Sequence, residues 1–173
     1  MSTCLLVILM GAKVDEPHAR KIAEAAFELG MESELRIGSA HKSPEHVLDL
    51  LKAYEADPRP KVYITIAGRS NALSAFVDGA VSAPVIACPP PAEFVGGVDI
   101  WSSVRMPGGI APAFIMDASN AALLAAKILS PFDPGIAAGI ARLRQANVDA
   151  ILDDDRAISK PGTDERTKWR NNR

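Results

Sequence analysis

The sequence predicts an α/β fold, a three-layer sandwich in which helices cover both faces of a five-stranded parallel sheet. Short apolar runs alternate with helical patterns five times along the chain, and no internal repeat or second domain is evident. Apolar runs without polar alternation are typical of strands that are buried on both faces. Because right-handed crossovers build such sheets, we expect the flavodoxin-like strand order.

The first two strand-helix units follow directly from their residue patterns. Residues 5–10 are apolar throughout and are predicted to form the central strand, and Asp15 is positioned to cap the helix that follows. Residues 31–37 carry charges in alternation, so we expect this second strand nearer an edge. Ser43 is predicted to cap the second helix, which Pro44 begins.

The remaining units are shorter and are separated by proline and glycine. Pro89 to Pro91 end the fourth apolar run, because proline lacks the backbone donor that a strand needs. Predicted strands lie at residues 61–67, 84–88 and 113–116, and predicted helices at 72–81, 99–104 and 120–129.

A last helix is predicted from Pro134, and its apolar positions are suited to packing on a neighbouring copy. From residue 153 onward charged and polar residues dominate, and few apolar groups could offset the entropy cost of ordering. We therefore expect one domain at residues 1–152, which includes the C-terminal helix, and a polar, mobile tail at 153–173.

Composition excludes several classes of protein. The chain has 173 residues, 48% of them hydrophobic, which suits one domain with a genuine core. Its formal net charge of −2 offers no general attraction to nucleic acid or anionic membrane. No apolar run approaches the roughly 20 residues that a membrane-spanning helix needs. The only cysteines, Cys4 and Cys88, lie in apolar stretches, so we expect core thiols and a cytoplasmic location.

Three polar segments follow the first three predicted strands. They lie at residues 11–15, 38–42 and 67–71. In an open α/β sheet, ligands bind beyond the carboxyl ends of the strands. We therefore interpret the three segments as one site.

The first segment can be interpreted in two ways. A glycine turn that leads into a helix presents backbone N–H groups and the positive end of the helix dipole, so Gly11 to Asp15 could bind a phosphate. The pattern matches neither the P-loop nor the GxGxxG motif, and a tight turn with Asp15 as a helix cap explains it equally well. Asp15 could instead accept hydrogen bonds from sugar hydroxyls.

His41 is the only histidine in a loop of glycine and small polar residues. Imidazole can gain or lose a proton near neutral pH, so His41 is a candidate general acid and base. Lys42 could pair with a phosphate. The alternative is that both are ordinary solvated side chains. His18 and His46 are predicted to lie on helix faces.

Two further loops carry candidate binding groups. Arg69, Ser70 and Asn71 could hold a carboxylate or polarise a small electrophile, or they could provide turn residues and a helix cap at Ser70 or Asn71. Residues 106–109 could let the backbone approach a flat ring, or could be an ordinary turn. No cysteine-histidine cluster has zinc-ligand spacing, and no serine or cysteine has an evident base, so we expect neither a metal site nor a covalent nucleophile.

Several segments together are similar to the signature segments of one family. Residues 10–15 read Met-Gly-Ala-Lys-Val-Asp where the family has Met-Gly-Ser-x-Ser-Asp, and residues 39–42 read Ser-Ala-His-Lys where it has Ser-Ala-His followed by Arg or Lys. Residues 106–109 and 119–126 are similar to its later signatures. Over about residues 5–129 the chain resembles the PurE family of purine biosynthesis, which contains phosphoribosylaminoimidazole carboxylases and N5-carboxyaminoimidazole ribonucleotide mutases.

Details of the resemblance favour the direct-carboxylase branch, which includes the carboxylase domain of the animal bifunctional enzyme. Lys42 stands where mutases have arginine, and no second histidine follows Gly68. The resemblance implies reversible carboxylation of 5-aminoimidazole ribonucleotide (AIR) by CO2 to give 4-carboxy-5-aminoimidazole ribonucleotide (CAIR), with no ATP, biotin, metal or other cofactor. The alternatives are a mutase and a non-catalytic binder of a phosphosugar or nucleotide.

The resemblance also implies roles for individual residues. His41 is the general acid and base, and the family assembles as a homo-octamer, with a tetramer as the alternative here. Ala12 and Val14 replace two family serines, so backbone N–H groups, Ser39 and Lys42 would have to bind the phosphate. The implied sets are Gly11, Ala12, Asp15, Ser39 and Lys42 for ribose phosphate, Gly68, Arg69 and Ser70 for CO2, and Met106, Pro107 and Gly108 as the loop over the base.

Overall fold

The computed structural model describes residues 3–68, 70–91 and 100–159. Five parallel strands form one sheet, and six α-helices lie along this part of the chain. The elements are β1 (Leu5–Met10), a 3-10 turn (Lys13–Asp15), α1 (Glu16–Glu28), β2 (Ser33–Ile37), α2 (Pro44–Glu55), β3 (Lys61–Ile66), α3 (Ala72–Asp78), β4 (Val85–Ala87), α4 (Trp101–Val104), β5 (Ala113–Phe114), α5 (Ala118–Leu129) and α6 (Pro134–Ser159).

The strand order is β2-β1-β3-β4-β5, and every neighbouring pair is parallel. This is the flavodoxin-like order, so the predicted fold is confirmed, as is the position of β2 at an edge. The middle strand, however, is β3 rather than β1. Both strands have neighbours on both sides, and an apolar run distinguishes an interior strand from an edge strand without telling which interior strand it is.

Alternate residues of β1 face two different helical layers. Leu5, Val7 and Leu9 pack in one cluster with side chains of α2 and α3. Because successive side chains of a strand point to opposite faces, Leu6 and Ile8 face the other side, where α1 and α5 pack together. All of β1 is buried, and each such side chain stabilises the fold by about 1.5–3 kcal/mol.

Glycine permits a close contact between the end of α1 and the start of α6. Gly30 follows α1 with φ of 87°, the left-handed conformation common just after a helix. A Cβ atom at Gly139 would lie 2.4 Å from the carbonyl oxygen of Leu29, so only glycine fits there. Ile136 and Ile140 are buried on the same turns of α6.

Several observed boundaries differ from the predicted ones. Helix α3 ends at Asp78 rather than near residue 81, and β4 and β5 are shorter than predicted. Helix α5 begins earlier, at Ala118, because the Asp117 side chain accepts a hydrogen bond from Asn120 N at 2.8 Å and so caps it. The predicted start of the fourth helix, Asp99, lies outside the described residues.

The chain divides into two units, Met1–Ile140 and Ala141–Arg173. In the second unit α6 continues through Ser159, so residues 153–159, which were predicted to belong to the tail, are helical. Residues 160–173 lie outside the described part of the chain. Within the described residues, no helix combines the length and apolar character that crossing a membrane requires.

Candidate active site

The carboxyl ends of β1, β2 and β3 lie side by side, because the hydrogen-bonded ladder continues into the loops that follow. Gly38 N donates to Met10 O at 2.9 Å, and Gly11 N donates to Ile66 O at 2.9 Å. Neighbouring strands in a sheet are about 4.8 Å apart, so the starts of the three loops lie within the length of one small ligand. The structure therefore brings the three predicted segments to one edge.

The loop that carries His41 is held by hydrogen bonds among its own residues. Ser39 N donates to Ser43 Oγ at 3.1 Å, Ser43 N donates to Ser39 O at 2.9 Å, and Lys42 N donates to Ser39 Oγ at 3.2 Å. His41 and Lys42 are exposed on this folded loop. Ser43 occupies the N-cap position of α2, but its hydroxyl serves the loop and makes no cap hydrogen bond, so the predicted capping role is wrong.

Gly38 fixes where this loop begins. It is buried, and a Cβ atom there would lie 2.7 Å from Cγ2 of Val47 on α2. Real Cβ atoms essentially never approach another atom so closely, and the loop could not keep this position with a larger residue. The sequence therefore needs glycine at the end of β2 to bring the His41 loop against α2.

Asp15 lies between the first and third loops. Its side chain is buried, and its Oδ1 would lie 3.6 Å from a Cβ atom at Gly68. The pKa of Asp15 is raised overall, because burial outweighs two opposing effects. These are a hydrogen bond from the Ala12 backbone and the nearby His18, both of which lower the pKa. Asp15 makes no cap hydrogen bond to α1, so the cap interpretation is wrong and its carboxylate faces the site edge instead.

The first loop offers fewer backbone donors than its glycine turn suggests. Gly11 N is already bonded to Ile66 O, and the Ala12 backbone donates to the Asp15 carboxylate. Ala12 and Val14 have hydrocarbon side chains, so neither contributes a polar group, although Val14 is 82% exposed. A phosphate at this loop must therefore be met by groups other than the Gly11 amide.

His18 was predicted only to lie on a helix face, but it belongs to this region. Its Nε2 lies 3.4 Å from Cys88 Sγ, just beyond the end of β4. Burial lowers the pKa of His18, which favours the neutral imidazole, and burial raises the pKa of Cys88 to about 12. The thiol therefore stays protonated at neutral pH and is no nucleophile. The three-residue spacing from Asp15 was the available signal, since it puts both on one side of α1.

The third loop is described except for Arg69, which lies outside the described residues. A Cβ atom at Gly68 would lie 3.3 Å from Cγ of Pro90, so the loop runs close against the proline segment after β4. Ser70 is exposed at the edge, and Asn71 is buried. Asn71 caps α3 by accepting a hydrogen bond from Ser74 N, which confirms the predicted cap and assigns it to Asn71.

The segment at residues 106–108 follows α4 in the chain. Within the described residues, the structure connects it to the three loops through hydrogen bonds to α4 and not through the strand ladder. Met106 is half-buried, and Pro107 and Gly108 are exposed in a turn closed by a hydrogen bond from Ile110 N to Pro107 O at 3.2 Å. The described connection to the third loop is a pair of hydrogen bonds from Asn71 to α4.

A large open groove lies elsewhere, on the surface formed by α1 and β2. It has a volume of about 790 Å³, and Phe27, Met31 and Leu35 give it an apolar floor among charged side chains. None of the predicted site residues lines it. In the described part of the chain, no group of three or more His, Cys, Asp or Glu side chains is arranged to hold a metal ion.

Fold and site together define a class of protein. In the observed order, β2 lies on one side of β1, and β3 and all later strands lie on the other side. The gap between the loops after β1 and β3 is therefore a topological switch point, where ligands bind in open α/β sheets. Gly11 and Gly68 lie on either side of that crevice, with Asp15 between them and the His41 loop beside them. This is a flavodoxin-like α/β protein with a candidate small-molecule site at the carboxyl edge of its sheet.

Comparison with known proteins identifies the family. The AIR carboxylase family matches residues 5–150, and the chain belongs to this family. The phosphoribosylaminoimidazole carboxylase of Treponema denticola is 53% identical over 90% of this chain and 98% of that protein. The phosphoribosylaminoimidazole carboxylase of Archaeoglobus fulgidus is 50% identical over 75% of this chain and 71% of that protein. The resemblance predicted from the sequence motifs is thereby confirmed.

Longer relatives and a solved structure agree with this assignment. The bifunctional phosphoribosylaminoimidazole carboxylase/phosphoribosylaminoimidazole succinocarboxamide synthetase of Mus musculus is 42% identical over 73% of this chain, which corresponds to 30% of that protein. The crystal structure of Treponema denticola PurE superimposes with a TM-score of 0.88 at 52% identity and covers 91% of this chain and 99% of that one.

Proposed function

We propose that this chain is a phosphoribosylaminoimidazole carboxylase that converts AIR and CO2 reversibly into CAIR in purine biosynthesis, without ATP or any other cofactor. The observation that carries the proposal is an exposed histidine on a rigid loop at the switch-point edge, in a chain more than half identical to a protein named for this activity. The sheet edge supplies positioning, and the histidine supplies proton transfer.

The chemistry needs little more than these two contributions. The aminoimidazole ring of AIR is an enamine, so its C4 attacks the carbon of CO2; a C–C bond forms, and one C=O electron pair moves onto oxygen. His41 then removes the C4 proton, and the C–H electrons restore the aromatic ring. In reverse, the His41 imidazolium returns the proton to C4 and CO2 leaves. Holding the reactants in contact replaces a slow bimolecular encounter.

The ribose phosphate is assigned to the first two loops. Ser39 Oγ accepts a hydrogen bond from Lys42 N, so its hydroxyl proton can be donated to phosphate. The exposed Lys42 ammonium supplies charge, and the Asp15 carboxylate accepts from ribose hydroxyls. Gly11 and Ala12 contribute close approach of the backbone rather than donors, because both amides are engaged internally.

The CO2 subsite is assigned to Gly68, Arg69 and Ser70, and the loop at 106–108 covers the base. Pro90 lies against Gly68 and provides an apolar wall, which suits a molecule without charge or dipole. Carboxylate develops as CO2 is attacked, so donors such as the Ser70 hydroxyl stabilise the product side of the reaction.

The proposal also places the protein in the cytoplasm. There, copies of this chain assemble into an octamer, with a tetramer as the alternative. In the second unit, α6 exposes Val148, Ile151 and Leu152, which are 51%, 68% and 46% exposed. An apolar stripe of this kind on a long helix is stabilised by contact with another surface. Light scattering of the purified protein measures the assembly directly.

The function is tested by choice of substrate. One reaction contains the purified protein, AIR and bicarbonate without ATP, and a second contains N5-carboxyaminoimidazole ribonucleotide; both are followed by the absorbance of CAIR. The proposal predicts faster turnover from AIR and CO2. Turnover from the N5-carboxylated substrate alone would show a mutase, and inactivity in both, with ligand binding retained, would show a binding protein.

A further inference from the structure

Asn71 joins α3 to α4 through three hydrogen bonds, two of which are buried. Its Oδ1 accepts from Ser74 N at 3.4 Å and thereby caps α3. Its Nδ2 donates to Ser103 Oγ at 2.9 Å, and its backbone N donates to Ser102 Oγ at 3.1 Å, both on α4. Asn71 and Ser103 are 4% and 3% exposed.

This arrangement exceeds what a helix cap requires. Capping uses only the side-chain oxygen of asparagine, and the amide nitrogen of a surface cap can bond to water. Here that nitrogen is buried and its partner lies 32 positions along the chain. A buried polar group that loses its partner incurs a desolvation penalty, so the first turn of α3 and the body of α4 are held in one fixed relation.

The two tethered segments lead directly into two different proposed subsites. Ser70, in the CO2 subsite, is the residue before Asn71, and Met106, in the loop over the base, comes three positions after Ser103. A shift of α4 relative to α3 therefore moves the base-covering loop relative to Ser70. Only one peptide bond separates Asn71 from Ser70, and three separate Ser103 from Met106. Because so few rotatable bonds intervene, a shift at the tether moves both residues.

We propose that Asn71, through Ser102 and Ser103, is a positioning residue that holds the CO2 subsite and the base-covering loop in the relation needed for C4 to meet CO2. This inference rests on the proposed function. Asn71 acts through the residues on either side of the tether and does not touch the reacting atoms.

Three serine substitutions test the tether. Ser103→Ala removes the partner of Asn71 Nδ2, and Ser102→Ala, at an exposed position, removes the partner of its backbone N. Ser74→Ala is the matched control: it also loses one buried hydrogen bond to Asn71, at 3.3 Å, but that bond lies within the first turn of α3 and does not reach α4.

The readout is the split between KM and kcat in initial rates measured over a grid of AIR and bicarbonate concentrations. Ser103→Ala and Ser102→Ala should lower kcat about threefold to tenfold, the factor for one lost hydrogen bond, because the bound reactants are misaligned; both KM values should change less than about twofold. Ser74→Ala should leave kcat within about twofold of wild type. Thermal unfolding of all three variants measures their stability separately.

Two outcomes overturn the inference while leaving the function intact. In one, wild type is active and both α4 variants keep the wild-type kcat. In the other, Ser74→Ala loses as much kcat as the two α4 variants, which would show a loss of stability rather than of the link to α4. An inactive wild type with well-folded protein would instead overturn the proposed function.

Discussion

The loop that carries His41 and the loop that carries Ser70 both join a strand to a helix at the same sheet edge, yet they are held in opposite ways. The His41 loop is closed by hydrogen bonds between residues three or four positions apart. The Ser70 loop is anchored through Asn71 to α4, more than thirty positions away.

This difference separates two tasks of the site. Short-range bonds cost little chain entropy, so the proposed proton-transfer group is positioned mainly by residues near it in the chain. Long-range bonds tie the loop of the proposed CO2 subsite to α4, so its geometry depends on how α4 packs. The His41 loop is held by bonds among its own residues, whereas the position of the Ser70 loop is coupled to the position of α4.

The largest predicted effect concerns His41 itself. His41→Asn keeps a polar side chain but removes the proposed proton-transfer group, so the rates of carboxylation and decarboxylation should both fall about 10²- to 10⁴-fold. Because His41 is exposed, the midpoint of thermal unfolding should stay at the wild-type value. Steady-state rates in both directions check the expectation; a variant within a fewfold of wild type would remove His41 from the mechanism.

The next effect tests the packing that fixes the start of the His41 loop. Gly38→Ala places a Cβ atom 2.7 Å from Cγ2 of Val47, so the loop or α2 must shift, and we expect a loss of about 1–3 kcal/mol in the free energy of unfolding. Gly108→Ala is the matched control, because no atom lies within 4 Å of the added carbon. Urea unfolding measures both; equal stabilities would show that the contact is not a constraint.

The His41 loop could be predicted from the sequence because its determinants are local. Gly38, Ser39 and Pro44 stand within a few residues of one another, and the alternation of strands and helices predicts the parallel sheet at whose edge the loop lies. The role of Ser43 was not predictable, because a hydroxyl at an N-cap position can satisfy either the helix or the preceding loop. Sequence pattern does not distinguish the two.

The coupling of Asn71 to α4 and the contact of His18 with Cys88 could not be predicted in this way. Each joins residues from distant parts of the chain, and their meeting depends on how β4 and α4 pack on the sheet. The polar residues themselves gave the only sequence signal: an asparagine after a buried strand, and a histidine three residues after Asp15.

A smaller effect distinguishes the loop-holding role of Ser43 from capping. Ser43→Ala removes the acceptor of Ser39 N, so the free energy of unfolding should fall by about 0.5–1.5 kcal/mol. Amide hydrogen exchange locates the loss. Faster exchange at Ser39 N, with the first turn of α2 unchanged, is expected, whereas faster exchange confined to α2 would return Ser43 to a capping role.

The smallest effect concerns Asp15, the buried carboxylate between the first and third loops. Because burial raises its pKa in the folded state, the native protein binds the proton more tightly than the unfolded chain above the usual aspartate pKa of about 4. The stability contributed by the protonated form is therefore lost as the pH rises through the folded pKa. Asp15→Asn should gain stability relative to wild type from about pH 4 toward neutrality, while its KM for AIR rises.

Urea unfolding at a series of pH values measures the stability of both proteins. Parallel stability curves for wild type and Asp15→Asn would contradict the assignment of a destabilising buried charge to this residue. A variant less stable at neutral pH would show that the Ala12 and His18 contacts outweigh burial.

Proton transfer at C4 by His41 is the central claim, and hydrogen exchange at that carbon tests it most directly. AIR is incubated in D2O with bicarbonate, and the C4–H signal is followed by proton NMR with wild type, with His41→Asn and without protein. Wild type should accelerate loss of the signal, and His41→Asn should match the protein-free sample. Exchange at the wild-type rate in the variant would contradict the account, because another group would then move the proton.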